Sequence, residues 1–240
     1  MKPKRLHSVL MPVLALCVCS LPAMAGVVFS DLGPADNVYD CCDGWTVSGS
    51  GTIGDSYTSA NLFTVAGSGS FSVTEIDLAV GDITTPDTFY AGIWTDTDGA
   101  PGTQLADAYW SPLYATTIFG NCCGLVSITG ITGVDLNGGQ QYFMILGPLS
   151  TSDDSWNAWN QNTQGVNGDV QYSLNGGVTW TDYGSSTLGT FDVLGNATIP
   201  EPGSPAPVWN RIDRNPGCLA PQAKPLRACR SNNSLTVAAR

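Results

Sequence analysis

Apolar and polar positions alternate along this chain in short stretches. Clusters of β-branched and aromatic residues fall at 27–30, 61–65, 71–80, 88–95, 105–110, 125–131, 141–146, 155–160, 169–173, 178–183 and 187–194, separated by breaks rich in Gly, Asp, Asn and Pro. No stretch of 26–199 sustains a helical apolar period for three turns, so strands are predicted throughout. About ten strands without helices predict an all-β fold, a single β-sandwich of jelly-roll-like type.

The 71–80 run makes a sharper prediction. Phe71 and Val73 share one parity, whereas Ile76, Leu78 and Val80 share the other. Both sets face inward only if a bulge near Thr74-Glu75 inserts one extra residue. Glu75 then lies at the irregularity as a solvated sheet residue.

Two turns are equally legible. In Asp96-Thr-Asp-Gly-Ala-Pro-Gly102 the Asp-Gly pair supplies the positive φ of a tight hairpin. Asp96 and Asp98 also resemble the opening of a calcium loop, although the later ligands, including a bidentate acid, are missing. Ser173-Leu-Asn-Gly-Gly-Val-Thr-Trp180 resembles the Asp-box hairpin, with Asn175 in the aspartate's place. One copy implies a stable turn and a packed Trp180, not a propeller or a sialidase.

Charge narrows the range of partners. Positions 26–199 hold seventeen Asp and one Glu but no Lys, Arg or His, a formal charge of −18. Without a cation to neutralise phosphate, nucleic acid is excluded as an expected partner, and anionic membrane surfaces with it. Charged residues make up 12% of the chain, against roughly 25% in an average soluble protein. The remainder is the neutral-polar composition of an exported β-protein.

The N-terminus has the layout of a secretory signal: basic Lys2, Lys4 and Arg5, an apolar run from Val9 to Leu21, then Ala23-Met-Ala25. Residues 1–25 are therefore expected to be removed. Export favours disulfides, and Cys41, Cys42, Cys122 and Cys123 allow three pairings. Adjacent cysteines diverge, so a bridge between the pairs is expected rather than one within a pair. Zinc is the weaker reading, because adjacent ligands lack the usual spacing and no His assists.

Catalysis has little to work with. Serine triads and lysine nucleophiles are excluded from a domain with no His, Lys or Arg, and an enzyme is not expected. Asp153-Asp154 beside Trp156 is the place for an Asp-dependent glycan hydrolase, but adjacent carboxylates rarely address opposite faces of a sugar. Carbohydrate binding asks less. Trp156-Asn-Ala-Trp-Asn-Gln161 offers aromatic rings in Trp156 and Trp159 and amides in Asn157 and Asn160. On a strand the two tryptophans differ in parity, which sends one of them to the core. Trp45, after the cysteine loop, is expected to be a packing anchor.

The signal peptide, Leu32-Gly-Pro34, Tyr39-Asp-Cys-Cys-Asp-Gly-Trp-Thr-Val-Ser-Gly49, Phe71-Ser-Val-Thr-Glu-Ile-Asp-Leu-Ala79, Asp98-Gly-Ala-Pro-Gly102 and Trp156-Asn-Ala-Trp159 together carry a family pattern. It resembles that of bacterial exported proteins with a choice-of-anchor domain, which typically end in a PEP-CTERM sorting signal. The resemblance covers most of 26–202. It implies export by bacteria that make extracellular polysaccharide, and processing by an exosortase that reads Pro-Glu-Pro, a transmembrane helix and a basic cluster. It implies no cofactor and no active site.

Pro200, Glu201 and Pro202 match that motif, but its continuation does not. A membrane span needs about twenty apolar residues. Pro205, Pro207, Arg211, Asp213, Arg214, Pro216 and Pro221 interrupt every candidate. Positions 203–240 carry six bases against the single acid Asp213, so the charge balance inverts where the helix is missing. A lost reading frame after the motif accounts for both; the alternative is a genuine basic tail.

The expected organisation is a signal peptide at 1–25, a sandwich ectodomain at 26–199, a remnant sorting motif at 200–204 and a disordered basic tail at 205–240. The expected role is a secreted structural or adhesive protein of the cell envelope or extracellular matrix, with exosortase-type sorting lost and no membrane span in the mature chain. The alternative is a carbohydrate-binding module that meets extracellular polysaccharide with no cofactor or with calcium.

Overall fold

The computed structural model describes residues 26–33, 38–84, 87–121 and 124–198. The expected signal peptide at 1–25, the Pro200-Glu-Pro202 motif, the basic segment that follows it, Cys122 and Cys123 lie outside the described residues. Fifteen strands form among those described: β1 Gly26–Ser30, β2 Tyr39–Ser48, β3 Thr58–Thr64, β4 Ser70–Leu78, β5 Val80–Asp82, β6 Thr88–Thr97, β7 Ala100–Tyr114, β8 Thr117–Ile118, β9 Val126–Thr129, β10 Asp135–Asn137, β11 Gln141–Gly147, β12 Trp156–Asn162, β13 Asn167–Ser173, β14 Thr181–Thr187 and β15 Phe191–Ala197. One helical turn, α1 at Ser50–Ile53, interrupts them. Among the described residues, no helix is long and apolar enough to cross a membrane.

A six-stranded sheet, in the order β14-β13-β3-β11-β6-β7, forms one layer. The other layer combines a four-stranded sheet, β2-β12-β5-β8, with a five-stranded one, β1-β15-β4, in which β9 and β10 both pair with β4. These two sheets meet at a seam: Ala79 N–H donates to Thr190 O (3.1 Å), Asn160 N–H to Ala79 O (2.9 Å) and Thr190 N–H to Asn160 O (2.7 Å). Residues from all three sheets enclose a single core, with Val28, Ile76 and Phe191 meeting Phe63, Ile93 and Met144 and also Val47, Val80 and Trp159. The sandwich expected from the strand pattern is the architecture found. Many lateral neighbours are distant in sequence, as jelly-roll crossing requires.

The bulge falls where parity placed it. Opposite β15, Leu194 pairs with Glu75 and Gly195 with Val73, leaving Thr74 as the extra residue. Val73, Ile76, Leu78 and Val80 are consequently all buried. The Asp-Gly turn also has the expected backbone, with φ of 55° at Asp98 and 80° at Gly99.

The cysteine loop differs from its expectation. Residues 39–48 form strand β2, held in antiparallel register by β12, with Trp45 opposite Trp159. No alternation marks this strand because its partner supplies the order that its own sequence lacks. Trp45 is still an anchor: it packs against the core, donates from Nε1 to Thr187 O (2.9 Å) and meets Tyr183 edge-on at 4.9 Å. The Sγ atoms of Cys41 and Cys42 stand 3.9 Å apart, about twice the length of a disulfide bond, so no bridge joins this pair.

Candidate functional site

The outer face of a sandwich sheet ordinarily meets water and is polar. In the six-stranded sheet this rule fails. Directly opposite residues of antiparallel neighbours share a face, so the register groups side chains into rows. Leu62, Phe143, Trp94 and Gln104 form one outer row, and Gln171, Ala60, Ile145, Gly92 and Tyr109 form the next. Tyr90 follows, opposite Gly147. Ala60, Leu62, Tyr90, Phe143 and Ile145 make a second buried cluster, with Trp94 and Trp180 packed against it.

Two glycines let aromatic rings lie against this sheet. A Cβ at Gly92 would come within 2.5 Å of the Trp94 indole, and one at Gly147 within 2.6 Å of the Tyr90 ring. Each ring therefore occupies the space that a side chain would otherwise fill. Tyr109 packs near Tyr90 with ring centroids 5.0 Å apart, and the Trp94 ring lies 6.5 Å from Tyr90. Tyr109 is 44% exposed, Trp94 is partly exposed and the Gln104 amide beside it is exposed. Burial pushes the Tyr90 phenol up to about 12, so it remains a neutral hydroxyl.

Two hairpins help to cover the rest of this face. The β6–β7 turn contributes Gly99 O, which accepts a hydrogen bond from Gln171 Nε2. The Asp-box hairpin contributes Trp180. Ser173 Oγ accepts from Gly177 N–H (2.8 Å) and Asn175 Oδ1 accepts from Thr179 N–H (2.9 Å), which fixes the turn before the tryptophan. Beside the face, a cleft of about 340 Å³ is lined by Leu62 together with Phe29, Gln141, Asn167 and Asp169. That volume is near the lower end for small-ligand pockets.

The residues proposed from sequence lie elsewhere. Trp159, Asn157 and Asn160 are 0%, 0% and 1% exposed, which corrects their expected role as glycan contacts. Their strand β12 lies inside the four-stranded sheet, between β2 and β5, and both of its faces are covered. Trp159 is the core tryptophan that parity required, and its Nε1 donates to Thr190 O (3.0 Å). Trp156 is partly buried, with Nε1 itself inaccessible.

Asp96 Oδ1 accepts from Gly99 N–H (2.9 Å), which gives this carboxylate a turn-stabilising role, and Asp98 supplies the positive φ. No group of three or more His, Cys, Asp or Glu side chains suited to a metal ion occurs among the described residues. Asp153 caps its own loop, accepting from Ser150 N–H (3.0 Å) and Ser155 N–H (3.1 Å).

The aromatic face had a sequence signal of its own. Tyr90, Gly92 and Trp94 alternate with the apolar Phe89, Ala91 and Ile93, so β6 is apolar on both faces and must be covered on both.

No protein-family model matches the chain, and no curated protein does. Among solved structures, the crystal structure of the cysteine protease and lectin-like domains of Cwp84, a surface layer associated protein of Clostridium difficile, aligns with 60% of this chain at 8% identity and a TM-score of 0.41. The alignment spans 33% of that chain. A likeness of this extent carries no functional information.

Proposed function

We propose that this protein is an exported, non-catalytic component of the cell envelope or extracellular matrix that adheres to neutral polysaccharide through the outer face of its six-stranded sheet. The observation that carries this reading is the aromatic strip of Tyr109, Tyr90 and Trp94, seated over Gly147 and Gly92 and flanked by the exposed Gln104 amide. Aromatic faces suit the C–H surface of a sugar ring, and amides suit its hydroxyls. The acid-only composition of 26–199 disfavours uronic-acid polymers. The signal-like N-terminus and the choice-of-anchor resemblance support a location outside the cell.

Affinity electrophoresis through gels containing neutral polysaccharides tests the proposal, with calorimetry on whichever polymer retards the protein. Tyr109→Ala and Trp94→Ala are expected each to remove about 1 kcal/mol of stacking, roughly a fivefold loss of affinity. Unretarded migration on every neutral polymer, or retardation undiminished in both variants, overturns it.

A further inference from the structure

The turn from β5 to β6 brings two carboxylates together. Asp82 Oδ1 accepts from Asp87 N–H (3.2 Å), while Asp87 Oδ2 accepts from the Thr84 hydroxyl (2.9 Å) and from Trp156 N–H (2.9 Å). Asp82 is only 8% exposed, and no Lys, Arg or His exists anywhere in 26–199 to balance either acid.

A second observation comes from a different strand. Asn157 on β12 stands directly opposite Asp82, so its side chain shares that face at close range. It is fully buried, and neither Oδ1 nor Nδ2 has a hydrogen-bond partner. On its other side the register places Val47, which offers no polar group. A buried amide left unmade on both atoms is costly, and here it stands opposite Asp82, whose Oδ1 is tied to Asp87 N–H.

We infer that Asp82, Asp87 and the Asn157 Oδ1 atom form a binding site for a hard divalent cation, calcium. Two carboxylates and one neutral amide oxygen are suitable calcium donors, and water commonly completes the six to eight ligands of such a site. Magnesium, which demands near-ideal octahedral geometry and sheds water reluctantly, is served less well by donors drawn from two separate strands and a buried amide. This site is separate from Asp96 and Asp98, and it stands whether or not the aromatic face binds sugar. It does bear on that face, because Asp87 opens the segment that leads directly into Tyr90.

The test uses the mature chain stripped with chelator. About 10 mM calcium is expected to raise the melting temperature by roughly 5 °C, with affinity in the 10⁻⁴–10⁻³ M range of extracellular modules. Asp82→Asn and Asp87→Asn are each expected to weaken binding at least about tenfold. Should either variant fail to fold, terbium supplies a second measurement. Its emission, sensitised through Trp156, should be displaced by calcium and fall several-fold in Trp156→Phe while calorimetric calcium binding persists. A melting temperature unmoved by calcium, a full response in Asp82→Asn, or terbium emission unchanged in Trp156→Phe overturns the site.

Discussion

Replacing Asp31 with Asn should give the protein an advantage in stability over the wild type that widens as pH rises. Asp31 follows β1 and is 1% exposed; its Oδ1 accepts from Phe191 N–H (2.7 Å), and Oδ2 has no partner. Burial pushes its carboxyl from 3.8 up to about 8, partly offset by the Phe191 N–H and reinforced by the charge of nearby Asp192. Above pH 3.8 the unfolded chain releases this proton while the folded chain holds it to about pH 8, so stability falls across that window and then levels off. Between pH 5 and pH 8 the loss is about 4 kcal/mol, at about 1.4 kcal/mol per pH unit. A typical domain has only about 5–15 kcal/mol in total.

Asparagine keeps the acceptor for Phe191 N–H but cannot ionise. Urea unfolding of both proteins at pH 5 and pH 9 reads the difference directly. The variant's advantage should widen by about 4 kcal/mol at the higher pH. Parallel pH dependence, with a gap that changes by less than about 1 kcal/mol, would falsify the assignment of Asp31 as a buried neutral acid.

Two further predictions concern packing and register. A Cβ at Gly189 would lie 2.5 Å from Trp159 Cδ2, so Gly189→Ala should cost about 1–3 kcal/mol in chemical denaturation, whereas an unchanged midpoint would show that the indole can move aside. Deleting Thr74 removes the extra residue of β4 and turns Phe71 and Val73 away from the core; loss of soluble, cooperatively melting protein is expected, and wild-type melting would refute the bulge.

Particular elements show how far the sequence could be read. The Thr74 bulge was legible because two apolar sets of opposite parity within one run allow few other solutions. The Asp-Gly hairpin and the Asp-box turn were legible for a similar reason, since their geometry is set within a few residues. Strand β2 was not: Tyr39-Asp-Cys-Cys-Asp-Gly-Trp45 has no alternation, and only pairing with β12 makes it a strand. The tryptophan and asparagine cluster of 156–160 was visible, but its accessibility was not. Nothing local to β12 shows that strands flank it on both sides.

The sequence by itself determined the local and additive properties: which segments extend, which residues share a face, where tight turns fall, and that 26–199 contains acids with no base to answer them. Only the tertiary structure decided which distant strands lie side by side. That choice set Tyr109 opposite Gly92, Tyr90 over Gly147, Asp31 beside Phe191 and Asn157 opposite Asp82. The reason is physical. Strand periodicity is written in neighbouring residues, whereas backbone hydrogen bonds between strands are chemically alike in every register. The lateral order is settled by how all the side chains pack at once.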